Sequence, residues 1–170
     1  MGMDFNRIQF TPDVVPSDVT GFTMYDKQSG QFLYRPGAVM CNLLLADEIN
    51  RTSSKTQSAL LEVMEEGRVT VDGETHTVPA PFVVIANPVG SSGTQLLPES
   101  QLDRFMISVS MGYPDHQSLV ELLRDRQKVN PLEHAKTVLT REEVLNLQKK
   151  VQEVYVADVV LDYIAKLAEA

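Results

Sequence analysis

Residues 42–51 read NLLLADEINR. An apolar run of strand length, 42–46, ends in two adjacent acids, Asp47 and Glu48. The run predicts a strand buried on both faces, as in a parallel sheet. A carboxylate at the C-terminal end of such a strand lies where open α/β sheets place their ligands. One acid there can hold Mg²⁺ through water, because magnesium prefers oxygen ligands and keeps several waters. The adjacent acid points elsewhere, since side chains alternate along a strand, and can polarise an attacking water. An ordinary strand end, with two acids meeting solvent, has the same pattern, so the stretch alone leaves both readings open.

The neighbouring segments supply context. Ser54–Glu66 predicts a helix, with Ser54 as N-cap, Gln57 as its capping-box partner and Gly67 as the stop. Leu60, Leu61 and Met64 share one face of it. Residues 68–78, RVTVDGETHTV, read as a hairpin turning at Asp72–Gly73. Phe82–Ala86 is a second buried strand, followed by a Gly- and Ser-rich loop over 87–97. Pro98 can open a short helix through Arg104, and Phe105–Ser110 is a third strand-like segment. Upstream, Arg7–Thr11 is a short strand, TPDVVPSDVTG (11–21) is turn-rich, and FTMYD (22–26) and QFLYR (31–35) flank a turn at Gly30. From Asp115 onward the pattern is helical, with Thr140 and Glu143 as a capping box and Asp158 as a further cap. Alternating strands and helices followed by a helical tail predict an α/β domain and the start of an α-helical one.

Composition narrows the function classes. The chain has 170 residues, 43% apolar, enough for a sizeable core. Its formal net charge of −8 disfavours non-specific binding to nucleic acid or anionic membranes. A single cysteine, Cys41, excludes an intramolecular disulfide and reads as a plain buried thiol. There is no apolar run of about 18 residues and no signal-peptide pattern, so membrane insertion is not expected and a cytoplasmic location is. His76, His116 and His134 lack metal-site spacing and read as surface histidines. Met1–Gly2–Met3 has the look of a cloning remnant.

NLLLADEINRTSSKTQSALLEVMEEG resembles the Walker B strand and following helix of the MoxR family of AAA+ ATPases. The likeness extends through RVTVDGETHTVPAPFVVIANP, GTQLLPESQLDRF and GYPD, and upstream through RIQFTPDVVPSDVTGF and RPGAV. It covers nearly the whole chain. The resemblance implies a partial AAA+ P-loop NTPase core over 1–113, a parallel sheet with helices and two inserted β-hairpins, then a linker helix and the start of an α-helical lid over 114–170. It implies ATP and Mg²⁺ as cofactors. Asp47 then matches the Mg²⁺-associated acid, Glu48 the general base, and Arg104 in LDRF the arginine finger that reaches a neighbouring subunit's nucleotide. A cation favoured by a helix dipole is the plain alternative for Arg104. Arg51 would face the same region. Asn87 matches the polar sensor, although VIANP is two residues shorter than the family's usual VIATQNP, a displacement of roughly 6–7 Å along a strand.

One element of that site is absent from the sequence. No G-x-x-x-x-G-K-[ST] occurs, and Gly90 and Gly93 in VGSSGT are not followed by Lys-Ser/Thr. Phosphates are cradled by such a loop and the helix it opens. The expectation is therefore a fragment or truncated gene product whose parent is an ATPase, and which does not itself turn ATP over. The family implies a ring, hexameric, and a client protein, with a von Willebrand factor A-domain protein as one possibility. The acidic hairpin tip Val71–Thr75 lacks Lys and Arg, which disfavours a nucleic-acid client. Two other readings stand beside the remodelling ATPase: a non-catalytic interaction module that lends Arg104 or its hairpins to complete subunits, and a chelatase-like motor subunit.

Overall fold

A computed structural model describes residues 2–90, 97–126 and 136–169. The expectations attached to Met1, Gly93 and His134 lie outside these residues. Three strands form one parallel sheet in the order β1 (Phe5–Gln9), β4 (Leu43–Asp47), β7 (Val83–Asn87). The segment between β1 and β4 holds a short helix, α1 (Pro16–Thr20), and a hairpin, β2 (Gly21–Asp26) and β3 (Gln31–Pro36). Between β4 and β7 lie helix α2 (Ser54–Glu66) and a second hairpin, β5 (Arg68–Val71) and β6 (Glu74–Thr77). Among the described residues four helices follow: α3 (Glu99–Leu102), α4 (His116–Arg126), α5 (Arg141–Gln152) and α6 (Asp158–Ala168).

The sheet buries one face. Leu44 and Ala46 are fully buried and share a core with Phe10, Ile49 and Leu60. The opposite face carries the register rows Phe5–Leu43–Val83 and Arg7–Leu45–Ile85, of which Phe5, Val83 and Ile85 are exposed. The expected two-sided burial of 42–46 and 82–86 therefore does not hold among the described residues, because the packed helix α2 covers only one side. The expected strand over 105–110 is not formed either. Phe105 packs on the core, but Met106, Ile107 and Val109 are exposed and pair with no described strand. A strand needs a neighbour for its backbone N–H and C=O groups, and the alternation of apolar residues does not supply one.

Both hairpins form as the sequence predicts. Asp72 and Gly73 have φ of 50° and 84°, the positive pair that a tight two-residue turn requires. At the other hairpin Gly30 turns at φ 70°. His76 is not the surface histidine expected. Its ring stacks on Tyr34 at 3.7 Å and 7°, joining the two hairpins, and its Nε2 is buried with no hydrogen-bond partner among the described residues. Burial pushes the Tyr34 hydroxyl up from its ordinary value, and that hydroxyl donates to Thr20 O. Cys41 is buried, and desolvation pushes its thiol up, as expected of an inert core cysteine. His116 is exposed. No helix among the described residues is long and apolar enough to cross a membrane.

Polar side chains lock the connections around β4. Asn42, only 5% exposed, accepts from Asp4 N and donates to Pro79 O and Pro81 O, tying together the starts of the three strands. The cap of α2 is Ser53, one residue before the expected Ser54, and its hydroxyl accepts from Thr56 N. Gln57 is not a capping-box partner. It points inward and donates to Ile49 O and Thr52 O. Buried carbonyls in the turn need donors, and that need outweighs a surface cap.

Candidate functional site

The C-terminal ends of the three parallel strands form one rim. Register places Gln9, Asp47 and Asn87 side by side there. Two backbone bonds continue the pairing past the strands: Phe10 N donates to Asp47 O at 2.8 Å, and Glu48 N donates to Asn87 O at 2.7 Å. The rim is where an open α/β sheet presents its ligand groups. Asp47, Glu48 and Asn87 are thus brought together by strand ends rather than by a flexible loop. Asn87 sits level with Asp47 despite the two-residue shortening of VIANP.

Glu48 is not an ordinary continuation of the strand. Its backbone is left-handed, φ 55° and ψ 40°, and the chain then enters a 3₁₀ turn at Ile49–Arg51. A non-glycine residue there costs on the order of 1–3 kcal/mol and persists only where the surroundings impose it. The surroundings are visible. Asn50, 5% exposed, donates from Nδ2 to Val89 O and accepts from Val89 N, stapling this turn to the segment that follows β7. Thr52 and Thr56 both donate to Val14 O. Neither Asn50 nor Thr52 belongs to a motif that marks it in the sequence. The available signal was their position: polar residues in the short link between an apolar strand and a helix.

Each acid meets an arginine. Arg51 donates to Glu48 Oε2 at 2.6 Å, from within the same turn. Arg7 donates from Nε and Nη2 to Asp47 Oδ2, both at 2.7 Å, from the neighbouring strand. Among the described residues Oδ1 of Asp47 has no hydrogen-bond partner. A single carboxylate with one free oxygen suits Mg²⁺, which takes one or two carboxylates and completes its shell with water and phosphate. No group of three or more His, Cys, Asp or Glu side chains among the described residues could cage a metal on its own. The rim therefore fits a cation delivered with a ligand. The phosphate cradle itself is not among the motifs of this sequence.

Arg104 stands elsewhere. It donates to Glu65 Oε2 at 3.2 Å and to Ser100 O at 3.0 Å, beside a cleft of about 310 Å³ between α2 and α3. Glu65 is near the far end of α2, roughly 16 Å along the helix from the turn that carries Glu48, at 1.5 Å per residue. The structure separates Arg104 from Asp47 and Glu48 within one chain.

Comparison with known proteins places these features in context. Residues 1–107 match the ATPase family associated with various cellular activities (AAA). The chain is 50% identical over 171 residues to YeaC of Bacillus subtilis (strain 168), a protein of uncharacterised function, covering 99% of this chain and 53% of that protein. It is 41% identical over 172 residues to Chaperone MoxR1 of Mycobacterium tuberculosis (strain ATCC 25618 / H37Rv), covering all of this chain and 45% of that protein. A crystal structure of a candidate ATPase from Cytophaga hutchinsonii superposes with a TM-score of 0.83 at 40% identity, over 98% of this chain and 51% of the other. The chain spans about half the length of the curated relatives it matches.

Proposed function

Because this chain belongs to the AAA family of ATPases and is MoxR-like within it, we propose that it supplies the magnesium and water half of an ATP-hydrolysing site. In this reading Asp47 holds the water shell of Mg²⁺ through Oδ1. Glu48 accepts a proton from the attacking water. Asn87 orients that water or the terminal phosphate. Bound ATP contributes the phosphoryl group and brings the cation. The observation that supports the reading best is the rim itself: Asp47 in register with Asn87, and Glu48 N bonded to Asn87 O at 2.7 Å.

Arg104 is assigned to a neighbouring subunit's nucleotide, as an arginine finger in trans. Its distance along α2 from Glu48 supports that choice over a role in the same subunit. Residues 1–113 are read as the core and 114–170 as a linker helix and the beginning of a lid. The whole protein, on this reading a cytoplasmic ring, couples ATP hydrolysis to remodelling or cofactor insertion in client proteins. The first hairpin supports a protein client: Phe22, Tyr25 and Phe32 are exposed on it, with Tyr25 and Phe32 in an edge-to-face pair at 5.3 Å.

Mixing tests the assignment in trans. The chain is added to a homologue that carries a G-x-x-x-x-G-K-[ST] loop. Both the homologue's ATP turnover and its oligomer size should change. An Arg104→Ala chain should still enter the oligomer, seen by light scattering, without the wild-type effect on turnover. An unchanged rate and an unchanged size with the wild-type chain would contradict the assignment.

A further inference from the structure

We infer that Arg7 is an internal counter-ion for Asp47, which holds the carboxylate while no cation is bound and which a divalent cation has to outcompete. The inference rests on the reading of Asp47 as the metal-associated acid and adds a control on it. Arg7 is in register with Leu45, one row back from the Asp47 row on the same open face of the sheet. Its side chain spans that row and places two donors on one oxygen, Oδ2. The geometry is asymmetric in burial: the Arg7 side chain is 59% exposed and that of Asp47 14%. The acid is held in a partly desolvated place by a cation free to swing into water.

Charge decides the direction of the effect. A guanidinium on a carboxylate cancels most of the field by which that carboxylate attracts Mg²⁺. A divalent ion and a guanidinium sharing one carboxylate lie roughly 5 Å apart, and their repulsion, even at the dielectric constant of water, lowers cation affinity by about tenfold or more. Holding the carboxylate in place works the other way, but a partly exposed ion pair gives little of that advantage. Arg7 thus keeps the rim closed to free cations and leaves it open to a cation that arrives with phosphate, whose negative charge offsets the repulsion. Glu48 differs: its arginine comes from its own turn and moves with it.

Manganese(II) titration followed by electron paramagnetic resonance tests this on the chain itself. Arg7→Gln should bind Mn²⁺ at least about tenfold more tightly than wild type. Arg7→Lys keeps the charge and should stay near wild type, which separates charge from the shape of the guanidinium fork. In Arg7→Gln/Asp47→Asn the gain should vanish. Circular dichroism and melting temperature should match wild type, since Arg7 lies on the exposed side of the sheet. Equal or weaker Mn²⁺ binding by Arg7→Gln would overturn the inference, as would a gain that survives Asp47→Asn. The underlying reading of Asp47 fails separately. It falls if Asp47→Asn leaves the Mg²⁺ dependence of turnover unchanged in a polypeptide that joins residues 1–170 to a phosphate-binding loop.

Discussion

In a polypeptide that joins residues 1–170 to a phosphate-binding loop, Glu48→Gln should lower ATP turnover by about 10²–10⁴-fold, the usual contribution of a positioned general base. Affinity for Mg-ATP should change little. The amide has the shape of the carboxylate and can still accept from Arg51, but it cannot take the proton of the attacking water. The backbone reinforces the point. Glu48 sits in the left-handed region at φ 55°, held by Asn50 against Val89 and by its own N–H on Asn87 O. A strained residue at a strand end is aimed by its neighbours, and Gln inherits the aim without the chemistry. A steady-state assay with a parallel binding measurement separates the two effects. Turnover within threefold of wild type would remove Glu48 from its assigned role.

Gly37→Ala carries the largest expected effect on stability. A Cβ at Gly37 would overlap the backbone atoms Gly21 N and Val19 O and lie 2.6 Å from Val19 C. Backbone at this point cannot retreat. Ala38 N and Val39 N donate to Asp18 O and Val19 O at 2.9 and 3.1 Å, so the chain after the first hairpin is laced to α1. Val19 and Val39 are both fully buried. The substitution should cost about 3 kcal/mol, the upper part of the range for overpacking. For a chain of this size that corresponds to a melting temperature lower by roughly 6–12 °C. Gly90→Ala serves as the control, because a Cβ there meets nothing within 4 Å among the described residues. Equal urea midpoints for the two variants would show that the close approach at Gly37 is not a constraint.

Much of the framework was legible in the sequence because its signals are local. The two hairpins were readable from Gly30 and from Asp72–Gly73, where the turn itself demands positive φ. Strand β4 was readable from its apolar run, and α2 from its period and from Gly67, which ends it at φ 64°. What escaped depends on partners distant in sequence. The segment 105–110 alternates like a strand but finds no ladder among the described residues. His76 looked solvated and is stacked on Tyr34, which lies 42 positions earlier. Gln57 looked like a cap and instead serves two buried carbonyls. Helix α1 could have been found: Pro16 opens it and Asp18 accepts from Val15 N, the local pattern of a helix start.

The candidate site divides the same way. Asp47 and Glu48 were visible as acids at a strand end, and their neighbour Asn87 only through the family resemblance. Their alignment on one rim is a matter of register, which periodicity does not encode. Arg7 and Arg51 on the two acids, and Glu65 on Arg104, are ion pairs that no motif announces. Two of these three pairs join residues 39 or more positions apart.

On the proposed reading, this chain carries the half of the site that binds cation and water, and its sequence holds no G-x-x-x-x-G-K-[ST] loop to grip phosphate. Titration calorimetry of Mg-ATP into the chain, with phosphate release measured on the same sample, tests that most directly. The expected result is no saturable binding tighter than about 1 mM, an interaction of only about 4 kcal/mol, and no release above the buffer rate. A micromolar dissociation constant accompanied by turnover would contradict it.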